Sequence, residues 1–308
     1  GMRAGYDINQ RLISYTNDST HARAALVGIL NTLLVAFVGC LIATVVGIFV
    51  GILRLSKNWI VARLMSIYIE GFRNVPVLLW IVMIFALLTE LTPAPKAFKG
   101  DNPEASMLFF ESVAVTNRGT YLPMPVMGDG AYWIIIGLCL SVIAIIYFSG
   151  YSKALKEKTG KGLPIFWISV CALIIPCFLL YFLLGKPITF NYPYLKGFNF
   201  KDGIHLRNSF LALTFALAVY TSAFIGEIVR SGILAISKGQ TEAASALGLR
   251  PNKIMSLIIL PQALRVIVPP MISQYLNLTK NSSLAIAVGY MDVRGTLGGI
   301  TLNQTGRE

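Results

Sequence analysis

Charge is scarce in this chain. Only 13% of its 308 residues are Asp, Glu, Lys or Arg, about half the roughly 25% carried by soluble domains. In their place 55% are hydrophobic, with a mean hydropathy of +0.68, which excludes a soluble globular domain. Cysteine is sparse too. Cys40, Cys139, Cys171 and Cys177 each lie inside an apolar run, with no CxxC pair and no Cys/His ligand spacing, so neither a metal site nor a disulfide framework is expected. The two histidines, His21 and His205, fall outside the expected spans and read as loop residues rather than ligands or bases. No H-E-x-x-H, no G-x-S-x-G and no paired aspartates within a span occur, so no catalytic residues are assigned, and neither an enzyme nor a cofactor is expected. The phosphate-binding pattern G-x-x-x-x-G-K-[ST] is missing as well, so the chain does not hydrolyse ATP by that route. Residues 1–23 lack the basic start and apolar core of a signal peptide.

What the chain has instead is a series of apolar runs near the length of about 20 residues that a transmembrane helix needs. Six membrane segments are expected. The first covers about Ala24 to Leu53, where Gly28, Gly39, Gly47 and Gly51 suit close packing of helix backbones inside a bundle. The second, about Trp59 to Thr89, is interrupted at EGFRNVP. There Pro76 is expected to kink the helix, and Glu70 and Arg73, three residues apart, are placed to pair with each other. Residues 90–130 read as one extended polar loop. A third segment runs from Ala131 to Ser149, followed by a lysine-rich turn with Lys153, Lys156, Lys158 and Lys161. A fourth runs from Leu163 to Gly185, bent at Pro176, and a further polar loop covers 186–207. The fifth spans Asn208 to Leu234, with Glu227 and Arg230 near its end. The sixth follows Pro261 and is expected to break at Pro269 and Pro270. Its second half carries Gln274, Asn277, Thr279, Lys280, Asn281, Ser282 and Ser283, a face too polar for lipid. The final stretch, MDVRGTLGGITLNQTGRE, holds no further span.

Sidedness follows from basic residues, which concentrate in cytosolic loops. Stretches 54–63, 151–162 and 230–265 hold 12 Lys or Arg in 58 residues, and the alternating loops 91–130 and 186–207 hold 7 in 62. The first set is therefore expected in the cytosol and residues 1–23 in the periplasm. The net charge of +12 is explained by those loops, and no nucleic-acid partner is expected.

One polar island lies between the last two apolar segments: GQTEAASALGLRPNKIMSLIILP, from Gly239 to Pro261. Ser237 with Gln240 fits a capping box opening a helix. Gly248 suits the left-handed residue that ends it, and Pro251 the first turn of a second helix. A loop joining two spans and a docking surface for another protein both satisfy this pattern.

The order Glu242-Ala243-Ala244, three residues, Gly248, nine residues, Ile258, one residue, Leu260-Pro261 resembles the coupling motif of bacterial ABC-importer permeases. YIEGFRNVPVLL, SAFIGEIVRSGI and LPQALRVIVPPMISQYLNLTKNSSLAIAVGY are similar to permeases of polar amino-acid importers, above all the general L-amino-acid type. The matching blocks cover about 24–90 and 208–304. The resemblance implies an all-α polytopic helix bundle of the type I permease kind over 24–308, with two extra spans inserted at about 91–207 and a cytosolic coupling loop at about 235–261. It implies a further span before residue 1 and another after Glu308. It also implies partners: a cytosolic ABC ATPase dimer, a second homologous permease, a periplasmic amino-acid-binding protein and membrane lipid, all in the bacterial inner membrane. Glu242, Ala243, Ala244, Gly248, Leu260 and Pro261 would meet the ATPase, whose closure would switch the bundle between inward- and outward-open states. Trp80 stands where relatives commonly carry Gln. For the solute path the candidates are Glu70, Arg73, Asn277, Lys280, Asn281 and Ser282, because interrupted helices near the midplane free polar groups for a ligand. The competing reading is an ion-coupled secondary transporter of small polar solutes, which also uses broken helices with buried charges.

Overall fold

The computed structural model describes residues 3–100, 103–159 and 164–306. Lys161 of the basic stretch and Leu163, the expected start of the fourth span, lie outside the described residues. The chain divides into two compact units: residues 1–94, 115–120 and 206–308 form one, and 95–114 with 121–205 form the other.

The first unit opens with a coil rather than a helix. Ala4, Ile8 and Tyr15 bury against Ala24 and Val27, although residues 1–23 show no apolar periodicity. A segment without secondary structure needs no period to bury side chains, so this packing has no signature in the sequence. Helix α1, His21–Arg54, begins at Thr20, whose hydroxyl accepts the Arg23 amide N–H at 3.4 Å. His21 thus opens a helix instead of lying in a loop, and its Nδ1 is 3.2 Å from the Thr301 hydroxyl. The buried positions of α1 fall three or four apart, from Ala24 through Asn31, Val35, Gly39, Ala43 and Gly47 to Gly51. That spacing marks one helical stripe. Its glycines bring α1 against α7, Asn208–Leu234. A Cβ on Gly47 would come 2.6 Å from Ile225, and one on Gly51 2.7 Å from the Gly226 carbonyl.

Helices α2, Trp59–Asn74, and α3, Val77–Glu90, are bent by 103° at Pro76. The expected kink is a full corner: Val75 is extended, as a residue before proline prefers. Arg73 lies over the Phe224 ring at 5.2 Å, and no ion pair joins it to Glu70 among the described residues. Arg73 makes a cation–π contact in place of the expected pair, and Glu70 is left exposed.

Residues 95–206 depart most from the expected loops. After a 3-10 turn at Pro95–Phe98 and one short turn, α4 (Leu108–Glu111), come seven short strands: β1 Ala114–Thr116, β2 Gly119–Leu122, β3 Met124–Met127, β4 Ile188–Asn191, β5 Tyr194–Lys196, β6 Asn199–Lys201 and β7 Ile204–Leu206. They form a three-stranded sheet in the order β1-β2-β7 and two antiparallel pairs, β3 with β4 and β5 with β6. In the β3–β4 pair Met124 faces Asn191 and Met127 faces Ile188, some sixty residues apart in the chain. Helix α5, Ala131–Thr159, continues ten residues past the expected end at Ser149, because Lys, Leu and Glu are good helix formers even where the chain leaves the apolar run. It packs on α6, Ile165–Leu183, which runs through Pro176 without interruption.

Beyond α7 come α8, Lys238–Ala246, and α9, Pro251–Ile254. A π-helical turn at Met255–Ile259 leads into α10, Leu260–Asn281, and a 3-10 stretch at Ser282–Val288 follows it. Pro269 and Pro270 lie within α10 and do not break it. The irregular turns sit at its two ends instead. A π-turn at Arg294–Thr301 and α11, Leu302–Thr305, complete the described chain.

Helix α7 is the hub. Seventeen of its 27 residues are buried, and it meets α1, α2, α3 and α10. Its core partners include Val35, Ala43, Ile81, Ile267, Leu278 and Tyr290. Two polar contacts fix the neighbours: the Tyr68 hydroxyl lies 2.7 Å from that of Ser222, and the Asn208 amide donates to the carbonyls of Leu88 at 3.2 Å and Asn117 at 2.9 Å.

Candidate functional site

The polar island folds as a helix, a tight turn and a second helix. Ser237 is the N-cap residue of α8, extended with ψ 141, but its side chain makes no capping bond. The expected capping box therefore does not close; instead the Gln240 amide takes the Ser237 carbonyl at 3.1 Å. Gly248 adopts φ +76, and the bonds around it form a Schellman motif: its own N–H reaches the Ser245 carbonyl at 2.9 Å, and the Leu249 N–H reaches that of Ala244 at 3.2 Å. Pro251 then opens α9 at its first position. Of the motif residues, Glu242, Ala243, Gly248, Leu260 and Pro261 are exposed, while Ala244 is buried. Leu247 beside the turn is 82% exposed, an apolar side chain presented on an otherwise polar helix.

Behind this segment lies a charge cluster that no short-range pattern announces. The Glu227 carboxylate accepts from Arg54 of α1 and, at 3.1 Å, from Arg230 one turn along α7; Arg54 also donates to the Ser66 hydroxyl at 3.1 Å. Glu227 and Arg230 lie three residues apart, but Arg54 joins them across 173 positions, a pairing visible only in three dimensions.

A polar cavity of about 240 Å³ opens between α7 and α10, lined by Tyr220, Thr221 and Phe224 on one side and Gln274, Asn277, Lys280 and Asn281 on the other. Asn277, Lys280 and Asn281 share a helix face at spacings of three and four. Of the six solute-path candidates the structure gathers these three here. Arg73 reaches the cavity wall only through Phe224. Ser282 is buried, with its hydroxyl donating to the Thr279 carbonyl at 2.8 Å. Glu70 is exposed on α2 and is not among the residues lining this cavity. The α7 wall is the part sequence reasoning missed. Its one signal was the polar triplet Tyr220-Thr221-Ser222 within an apolar span.

At the other end of the bundle, Asn31 donates to the carbonyls of Gln10 and Met291, each at 2.8 Å, tying residues 3–20 to α1 and to the chain after Tyr290. Asp292 accepts the Gly295 amide at 2.8 Å. Burial raises its carboxyl above the usual range, and that bond opposes the shift in part.

Residues 150–303 match the family described as the binding-protein-dependent transport system inner membrane component. The chain belongs to this family. Along 99% of its length this permease is 54% identical to the glutamate/glutamine/aspartate/asparagine transport system permease protein BztB of Rhodobacter capsulatus, covering 77% of that protein. It is 43% identical to the general L-amino acid transport system permease protein AapQ of Rhizobium johnstonii and 44% to the putative amino-acid ABC transporter permease YhdX of Escherichia coli, again over 99% of the chain, and covers 74% and 75% of them. A crystal structure of an amino acid ABC transporter with histidines matches at a TM-score of 0.50, 18% identity, 93% of this chain and 81% of that one, which shows the shared fold. The protein is thus a multi-pass membrane permease subunit of the amino-acid ABC-importer kind, a transport component rather than an enzyme, in a family that works with an ATPase and a solute-binding protein. Membership in a binding-protein-dependent family decides against the ion-coupled secondary transporter.

Proposed function

We propose that this permease imports L-amino acids across the bacterial inner membrane, paired with a second homologous permease and set among membrane lipid. A periplasmic binding protein delivers the solute, and a cytosolic ATPase dimer drives the cycle by docking on α8 and α9 through Glu242, Ala243, Ala244 and Gly248, with Leu260 and Pro261 at the root of α10. The carrying observation is the helix–turn–helix at Gly248: a left-handed turn leaves Glu242, Ala243, Gly248 and Leu247 exposed together, with Ala244 buried beneath them. The basic-residue count supports the cytosolic side for it. The α7–α10 cavity, with Asn277, Lys280 and Asn281, is the solute path within this reading. The Lys280 ammonium suits a carboxylate, and the amides suit the polar remainder of an amino acid. Glu70, Arg73 and Ser282 then act around the path rather than in it. The named relatives, which transport glutamate, glutamine, aspartate and asparagine or general L-amino acids, favour that solute class.

The test is affinity purification of the protein from native membranes in mild detergent, beside the Gly248→Arg variant. A P-loop ATPase and a second permease are expected with the parent. The variant should lose the ATPase and ATP-driven uptake while remaining inserted. Normal uptake by Gly248→Arg removes the docking assignment, and a parent that recovers no ATPase removes the importer assignment.

A further inference from the structure

A second polar cavity, of about 210 Å³, lies at the end of the bundle opposite the coupling segment. It sits where α3 ends, α7 begins and the 3-10 stretch after α10 closes. Thr89, Arg207, Asn208 and Ser209 line it with Asn117 and Arg118. Arg207 and Tyr220 are thirteen positions apart on the chain, so this cavity is roughly 20 Å along α7 from the one holding Lys280, at 1.5 Å per residue.

Two observations set it apart. It contains two arginines and neither Asp nor Glu among its lining residues. In addition, the half-buried Arg207 side chain makes no hydrogen bond or ion pair with any described residue, and its Nε is wholly enclosed. A guanidinium withdrawn from water without a counter-charge is costly. Asn117 complements it, for its buried side-chain oxygen has no donor among the described residues. Both residues line the cavity, although the enclosed Nε and side-chain oxygen do not themselves open into it, and an acid carrying its own ammonium offers a partner to each residue. The backbone is held for this purpose at several points. The Arg207 amide donates to the Gln10 side chain at 3.3 Å, and Asn208 fixes Asn117 through its carbonyl. The volume, room for about seven waters at ~30 Å³ each, admits a small solute and no protein segment of any size.

We infer that this cavity is a second, outer amino-acid site, in which Arg207 takes the α-carboxylate and Asn117 the ammonium of a free solute on the side where it arrives. The inference rests on the importer reading for its solute class. The complex is the permease with its second permease and ATPase in lipid nanodiscs, without binding protein, and the probe is radiolabelled L-glutamate. All measurements are made in a Lys280→Gln background, which removes the cation of the inner cavity. Residual binding is expected there. Arg207→Gln should weaken it about ten- to a hundred-fold, the scale of one charge-assisted pair, and Arg207→Lys should recover part of the loss. Glutamine should compete, and a diamine without a carboxylate should not.

Unchanged binding in Arg207→Gln overturns the inference and leaves a water-filled cavity. Displacement by the diamine overturns it as well. If Arg207→Gln instead leaves glutamate binding intact but raises the binding-protein concentration needed to stimulate ATP hydrolysis, the carboxylate comes from the delivering protein, and the free-solute site is wrong. ATP-driven uptake by the unmodified complex is measured alongside, so failure of the importer reading shows separately.

Discussion

Over its most apolar 18-residue window α7 has a mean hydropathy of 1.7, and 67% of that window is buried; α6 reaches 2.5, and none of its window is buried. The more apolar helix is the exposed one. In water this would be inverted, but lipid is as apolar as leucine, so hydrophobicity does not draw helices together within a membrane. Small and hydroxylated residues do so instead. The buried set of α7 is rich in Ala, Ser, Thr and Gly, among them Ala212, Ala216, Ala218, Ser222, Ala223 and Gly226. By contrast, α6 exposes Phe166, Trp167, Ile174, Ile175 and Phe178 over the face turned away from α5. Within a membrane chain, then, composition reports position in the reverse sense from a soluble one.

The contrast is breakable, and the largest effect is expected at the glycines. Gly47→Leu or Gly51→Leu on α1 drives a side chain into Ile225 or the Gly226 backbone. Either should destabilise the bundle by about 3 kcal/mol or more, read as loss of monodisperse protein in detergent. Gly150→Leu on α5 meets nothing within 4 Å and should leave it intact. Next comes the lipid-facing helix. Ile175→Arg on α6 should cost about 3 kcal/mol of insertion, measured as the fraction recovered in membranes, whereas Ile175→Ala should insert normally; the reverse result would place α6 in a protein interior.

A smaller effect separates two glutamates. Glu227→Gln removes the partner of Arg54 and Arg230 and should lower stability by about 1–3 kcal/mol, seen as a lower Tm of the purified complex. The exposed Glu242→Gln should leave Tm unchanged. The smallest effect belongs to the docked coil. The Tyr15 hydroxyl donates to the Tyr6 carbonyl at 2.9 Å, and its pKa is pushed up to about 12, chiefly by burial and then by Tyr6 and Asp7. The folded form holds the proton more tightly than the unfolded one, near 10. Its contribution is therefore complete below about pH 10 and lost as pH rises through 12. Proteolysis of residues 3–20 should accelerate over that window, and in Tyr15→Phe the pH dependence should vanish.

Much of this fold was legible. The bounds of α7, Asn208 and Leu234, follow from the apolar run, and the left-handed Gly248 and the corner at Pro76 follow from the chemistry of glycine and proline. Local signals sufficed because each feature is made by neighbours in sequence. What escaped was made by distant residues. The pairing of β3 with β4, the reach of Arg54 to Glu227 and the burial of Tyr15 depend on partners that no periodicity names. Two local inferences also failed. Ser237 caps α8 without its side chain, and Pro269 and Pro270 leave α10 continuous, since proline removes a donor without obliging the chain to turn. For the solute path, the polar second half of the last span named Asn277, Lys280 and Asn281 among six candidates, and only the packing of α10 on α7 separated them from the rest and supplied Tyr220, Thr221 and Phe224.

The near-contact of backbones along α1 and α7 has a kinematic consequence. At Gly47 and Gly51 the facing groups are the stiff β-branched side chains of Ile225 and Val229 and the carbonyls of Ser222 and Gly226, so sliding or rolling one helix past the other meets groups with little room to give. The pair must travel as one solid shaft. Whatever relative motion lets solute through has to be taken up at joints with slack: the corner at Pro76, and the π and 3-10 turns that bracket α10.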